Sequence, residues 1–86
     1  MTKRSEAAKQ AILDVVANQL RDHNPPETKE TYERLKAAGY CDEDVRILIG
    51  QVVICEIFDV VKRGEVYNHT RFVARLAKLP AEPFDD

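Results

Sequence analysis

Apolar positions concentrate in one stretch of the chain, Asp42 to Arg63, DEDVRILIGQVVICEIFDVVKR. Placed at about 100° per residue, Val45, Ile49, Val52, Glu56, Val60 and Arg63 share one side. Ile47, Ile54, Phe58 and Val61 fall on the opposite side, with Leu48 and Cys55 between them and Val53 and Ile57 on the remaining flank. A helix that is apolar nearly all round is a buried helix. Val and Ile also suit a strand, but a run of about 22 residues without a turn signal is too long for one. Asp42, Glu43 and Asp44 complement the positive end of the helix dipole, Lys62 and Arg63 the negative end, and Gly64 supplies a left-handed stop. Gly50 costs roughly 1 kcal/mol relative to Ala inside a helix. It predicts a second helix crossing closely there.

Three shorter periodic stretches surround this one. From Ser5 to Asp22, residues Ala8, Ile12, Val15, Val16 and Gln19 with Leu20 form an amphipathic stripe, and Thr2 or Ser5 is placed to cap it. After the break Asp22-His23-Asn24, a helix is predicted over 25–38. Asn24 is its N-cap, Pro25 its first residue, Glu27 its capping-box acid and Gly39 its stop. Its inner face is Tyr32, Leu35 and Ala37 or Ala38. The short link Tyr40-Cys41 makes it an antiparallel neighbour of the long helix. Asn68 caps a last helix, His69 to Lys78, with Phe72, Val73, Leu76 and Leu79 on one side and Pro80 as its end. Ala81 to Asp86 reads as an acidic tail in which Phe84 could dock on the body or on a partner.

The expected architecture is therefore all-α: one compact four-helix domain over residues 1–86, with the long third helix at its centre. Eighty-six residues allow one domain. A chain this small buries only about 60% of the surface its unfolded form exposes, so a second subunit is a common remedy. Three short helices do not close every side of a helix apolar nearly all round, and a homodimer through part of that helix, or through the flank left by the short second helix, is expected.

Charge and cysteines narrow the function classes. Net charge is −2 and the basic residues are spread along the chain apart from Lys3 and Arg4, which argues against a nucleic-acid partner. MTKRSEAAKQ has no apolar core behind its charges, so no signal peptide is expected. Glu56 and Asp59 interrupt the best apolar run, so no membrane partner is expected. Cys41 and Cys55 would lie about 20 Å apart along one helix, too far to pair. Two unbridged thiols suit a reducing, cytoplasmic location.

The run NPPETKETYERLKAAGY, then DVRILIGQVVICEIFDVVKRGEVYN, then TRFVARLAKLP, resembles a pattern of small bacterial all-helical proteins with no established activity. It covers Asn24 to Pro80 and implies a compact helical protein with no catalytic assignment. The other candidates are acids. Glu56 and Asp59 are three apart within an apolar segment, where an acid must be paired, hydrogen-bonded, neutralised or bound to metal. The simplest reading pairs Glu56 with an Arg or Lys, or turns that edge to water. Glu27-x-x-Glu30 followed by Glu56-x-x-Asp59 is also similar to the acidic pairs of MazG-type nucleoside triphosphate pyrophosphohydrolases. That resemblance implies Mg²⁺ held by Glu27, Glu30, Glu56 and Asp59. The chain departs from the family where Pro26 stands before Glu27 in place of a second acid. His23 and His69 lack zinc-ligand spacing and read as surface or capping residues. The leading expectation is a non-enzymatic protein-interaction or assembly module with an unknown protein partner. A Mg²⁺-dependent pyrophosphohydrolase is the alternative, and a nucleic-acid-binding regulator the third.

Overall fold

The computed structural model describes residues 3–81, with side chains from Glu6 onward. Four helices follow one another: α1 (Lys3–Asp22), α2 (Pro26–Ala37), α3 (Asp42–Arg63) and α4 (His69–Lys78). No strand occurs among the described residues. α3 is the longest and packs against each of the other three, so it is central as its apolar weight predicts. Thr2 as a cap, and the tail with Phe84, lie outside the described residues.

One side of α3 makes the core. Val45, Ile49 and Val52 are fully buried, and Val16 from α1, Leu35 from α2 and Phe72, Leu76 and Leu79 from the α4 region close over them. For α1, α2 and the α4 region these are the inner positions that periodicity assigns. Gly50 marks the crossing with α1: a Cβ there would stand 3.1 Å from Cγ2 of Ile12. Val15 departs from the expected stripe and is exposed, because α1 turns the adjacent Val16 fully inward.

Helix ends follow their local chemistry, with two shifts. The first is that α1 already runs from Lys3, so Ser5 lies inside it and does not cap it. Gly64 has φ 65°, the left-handed stop of α3, and Gly39 has φ 106° after α2. At Gly39 the two terminal hydrogen bonds, Gly39 N–H to Lys36 O and Tyr40 N–H to Leu35 O, satisfy the last carbonyls. Asn68 Oδ1 accepts from Arg71 N–H at 2.9 Å, capping α4. α2 starts one residue later than predicted. Its N-cap is Pro25, at ψ 154°, and Pro26 takes the first helical position. A residue that precedes proline is driven out of the helical region, so Pro25 cannot begin the helix and neither Asn24 nor Glu27 caps it.

Two buried polar residues in α2 were not among its predicted inner positions. Thr28 is fully buried and its hydroxyl donates to Gln19 Oε1 of α1 at 2.9 Å. Thr31 returns its hydroxyl to Glu27 O. Both hydroxyls are satisfied, which removes most of the cost of burying them. Ala37 and Ala38, expected inside, are exposed.

Candidate functional site

The acids of α3 are built into a polar seam with α4. Glu56 and Asp59 lie one turn apart on α3, and Arg71 and Arg75 one turn apart on α4. Arg71 binds Glu56 through two parallel contacts, Nε to Oε1 at 3.0 Å and Nη2 to Oε2 at 2.8 Å. The planar guanidinium fork matches a carboxylate in this way, and such charge-assisted pairs are the stronger hydrogen bonds. Asn68 N–H donates a third bond to Glu56 Oε2 at 2.9 Å. Arg75 Nη2 donates to Asp59 Oδ2 at 2.7 Å, and its Nη1 stands 3.6 Å from Glu56 Oε1. The outer arm of Arg71 reaches Glu65 at 2.9 Å.

The seam sets the charge state of both acids. The Arg71 guanidinium holds the Glu56 carboxyl below its ordinary range, against the opposing effect of burial. Arg75 does the same for Asp59. Arg71 is in turn held more firmly protonated by Glu56 and then Glu65. Two acids and two arginines balance, so the seam carries two ionised carboxylates already occupied by donors. It works as a clasp: Asn68, Arg71 and Arg75 bring α4 and its entry loop onto α3. A second clasp holds the other end of α4, where Arg34 of α2 donates to Leu76 O at 3.0 Å and Leu79 O at 2.9 Å. Leu76 O also accepts from Leu79 N–H, so Arg34 is its second donor and supplies a side-chain donor to Leu79 O.

The remaining sequence candidates lie elsewhere. Glu27 is 3.6 Å from Nε2 of His69, and His69 Nδ1 is 3.0 Å from the Tyr67 hydroxyl. Burial raises the Tyr67 hydroxyl above its ordinary range, with the charges of Glu56 and Glu27 adding to it. Glu27 thus faces a histidine at the start of α4. Glu30 is exposed. Glu33 pairs with Lys29 at 2.7 Å. Among the described residues no three His, Cys, Asp or Glu side chains converge as a metal-holding group. His23 sits in the α1–α2 loop with φ 52°, Cys41 is exposed at the start of α3, and Cys55 is buried. Of the four packing aromatics, Phe72 is buried and Tyr32 partly so, whereas Tyr40 and Tyr67 are exposed. Tyr32 donates its hydroxyl to Asp42, to which Arg46 also donates at 3.0 Å.

The opposite side of α3 is open and apolar. Ile54 is 42% exposed, Ile57 47%, Phe58 58% and Val61 77%. Beside them runs a groove of about 590 Å³ between α1 and α3. Ala8, Ile12 and Leu13 line it from α1, and Ile47, Gly50 and Ile54 from α3. Gly50 lets α1 approach closely, with Ile12 of α1 filling the space a side chain there would take. Lys62 Nζ lies 5.3 Å from the Phe58 ring centroid, a cation–π contact at the rim. Periodicity placed Ile47, Ile54, Phe58 and Val61 together on one side. It could not show that no helix of the chain covers them.

No family model, curated protein or solved structure matches the chain. No helix of the described residues is long and apolar enough to cross a membrane.

Proposed function

We propose that the chain is a non-enzymatic protein-interaction or assembly module whose working surface is the apolar face between α1 and α3. One observation carries this reading: the large exposed apolar side chains of α3 are contiguous and border a groove, while Glu56 and Asp59 of the same helix are consumed by arginines. Contiguous apolar patches on small proteins mark interaction sites, whereas single exposed apolar residues mean little. Glu56 already accepts three hydrogen bonds. Recruiting it and Asp59 to Mg²⁺ would require displacing two guanidinium groups from a seam that holds α4 in place. The two cysteines suit a cytoplasmic setting for such a module.

The thermal midpoint with and without Mg²⁺ and a nucleoside triphosphate tests the reading. The expected midpoint is unchanged by either addition. A rise that disappears in Glu56→Gln would replace this reading with the pyrophosphohydrolase. DNA binding that weakens steeply with salt would replace it with the regulator.

A further inference from the structure

The open face of α3 repeats at the ordinary spacing of a helix face, which the core side shares at Val45, Ile49, Val52, Glu56 and Asp59. Ile47, Gly50, Ile54, Ile57, Val61 and Gly64 follow one another at steps of 3, 4, 3, 4 and 3 residues. That is the a/d spacing of a helix–helix seam, with Ile47, Ile54 and Val61 at a, Gly50 and Ile57 at d, and Gly64 as the cap that ends the helix. Among the described residues no other helix lies over its second half, because Ile54, Ile57 and Val61 remain exposed. We infer that the occupant of this face is a second copy of the chain, with the two α3 helices antiparallel about a two-fold axis at Ile54. The inference rests on the proposed interaction face and names its partner.

Three features select this arrangement. The first is shape. A two-fold axis at Ile54 sets Phe58 of each copy opposite Gly50 of the other, and Ile47 opposite Val61. The exposed Phe58 ring thus meets a position without a side chain beside Ile12, a pairing of unlike positions that a two-fold interface repeats on both copies. The second is charge. Antiparallel helices bring the acidic first turn, Asp42, Glu43 and Asp44, within a turn of the partner's basic last turn, Lys62 and Arg63. Parallel helices would set like charges and like dipole ends together. The third is size. Ile47 to Val61 spans about 21 Å at 1.5 Å per residue, and α1 and α3 side by side are about 20 Å across. The footprint is on the order of 400 Å², and accessible area over ridged side chains exceeds the footprint. That brings the face to the low end of specific interfaces, roughly 600 Å² per partner.

The test combines mass with cross-linking position. Sedimentation of the wild-type chain at about 100 μM should give the dimer mass, and Phe58→Glu should raise the dissociation constant by more than about tenfold. Phe58 is exposed, so circular dichroism should show the helices intact; Val61→Lys serves as the second variant if they are not. In a Cys41→Ser background, Ile54→Cys should form a disulfide dimer on mild oxidation and Val61→Cys should not. A monomer at that concentration overturns self-pairing and leaves the interaction reading to its own magnesium, nucleotide and DNA tests. A dimer cross-linked through Val61→Cys overturns the antiparallel axis. A dimer indifferent to both Phe58→Glu and Val61→Lys overturns the choice of face.

Discussion

The two edges of α3 treat their exposed chemistry in opposite ways. On the α4 edge, both acids have partners within the chain: Glu56 with Arg71 and Asn68, Asp59 with Arg75. On the α1 edge, Ile54, Ile57, Phe58 and Val61 are left to solvent. The difference follows from what each type of group costs when left alone. A buried carboxylate without a donor costs several kcal/mol, so the chain must satisfy it internally to fold at all. An exposed isoleucine costs little beyond what the unfolded chain already has. It can wait for a partner molecule. A small domain can thus close its charged edge by itself and leave its apolar edge for assembly.

Substitutions on each side of α3 should separate these roles. The largest effect belongs to the core side. Ile49 is fully buried, and Ile49→Ala should cost about 3 kcal/mol. In a domain this size that lowers the thermal midpoint by roughly 15 °C, measurable by circular dichroism. A drop of only a few degrees would mean the core is not centred on this side.

Next comes the polar seam. Glu56→Ala leaves Arg71 and Arg75 facing each other without their shared acid. The loss should be about 2–3 kcal/mol, below that of a fully buried pair because Arg71 keeps some contact with water. Urea denaturation checks it. A neutral result would show that α4 is held by Phe72, Leu76 and Leu79 alone.

The same seam gives a pH dependence of known sign. Glu56 and Asp59 titrate below their ordinary range in the folded chain. On acidification the unfolded chain therefore takes up protons first. The stabilisation is complete above the ordinary carboxylate range and is lost as pH falls through the depressed native values. Denaturation midpoints between pH 7 and pH 3 should fall below about pH 4, and Glu56→Gln should flatten part of that fall. An unchanged acid limb in Glu56→Gln would assign it to other carboxylates.

The smallest effect is expected on the open face. In solution dilute enough to keep the chain monomeric, Phe58→Ser should change stability by no more than about 0.5 kcal/mol. A loss of several kcal/mol there would mean that Phe58 packs within its own chain, and the contrast between the two edges would fail.

Much of the fold was legible in the residues. The bounds of α3 and α4 follow from Asp42-Glu43-Asp44, Gly64, Asn68 and Pro80, because caps and stops act over one turn and leave a local mark. Which residues of α3 share a side was legible for the same reason, since a 3.6-residue period fixes it, but on a helix apolar nearly all round the period did not say which side enters the core. Pro25 misled by one position because two prolines compete for the helix start and only the second can take it.

The candidate site was legible only in part. Glu56 and Asp59 stood out as acids in an apolar segment, and pairing with an arginine or lysine was the simplest reading. A faint signal pointed to the partners, since Arg71 and Arg75 repeat on α4 the one-turn spacing of the two acids. The fourfold acidic set was a different matter. Glu27 meets His69 and Glu30 faces water, an outcome set by how α2 and α4 lie across the bundle rather than by residue spacing.

By itself the sequence determined the four helices, most of their ends and which residues of α3 share a side, because hydrogen bonding within a turn and the helical period are local properties. Only the tertiary structure decided which acid meets which arginine, and that α1 approaches α3 at Gly50 yet leaves Ile54, Ile57 and Phe58 uncovered. Those outcomes depend on where three short helices come to rest around a longer one. That is a matter of packing between distant segments, and the order of residues along any one of them does not encode it.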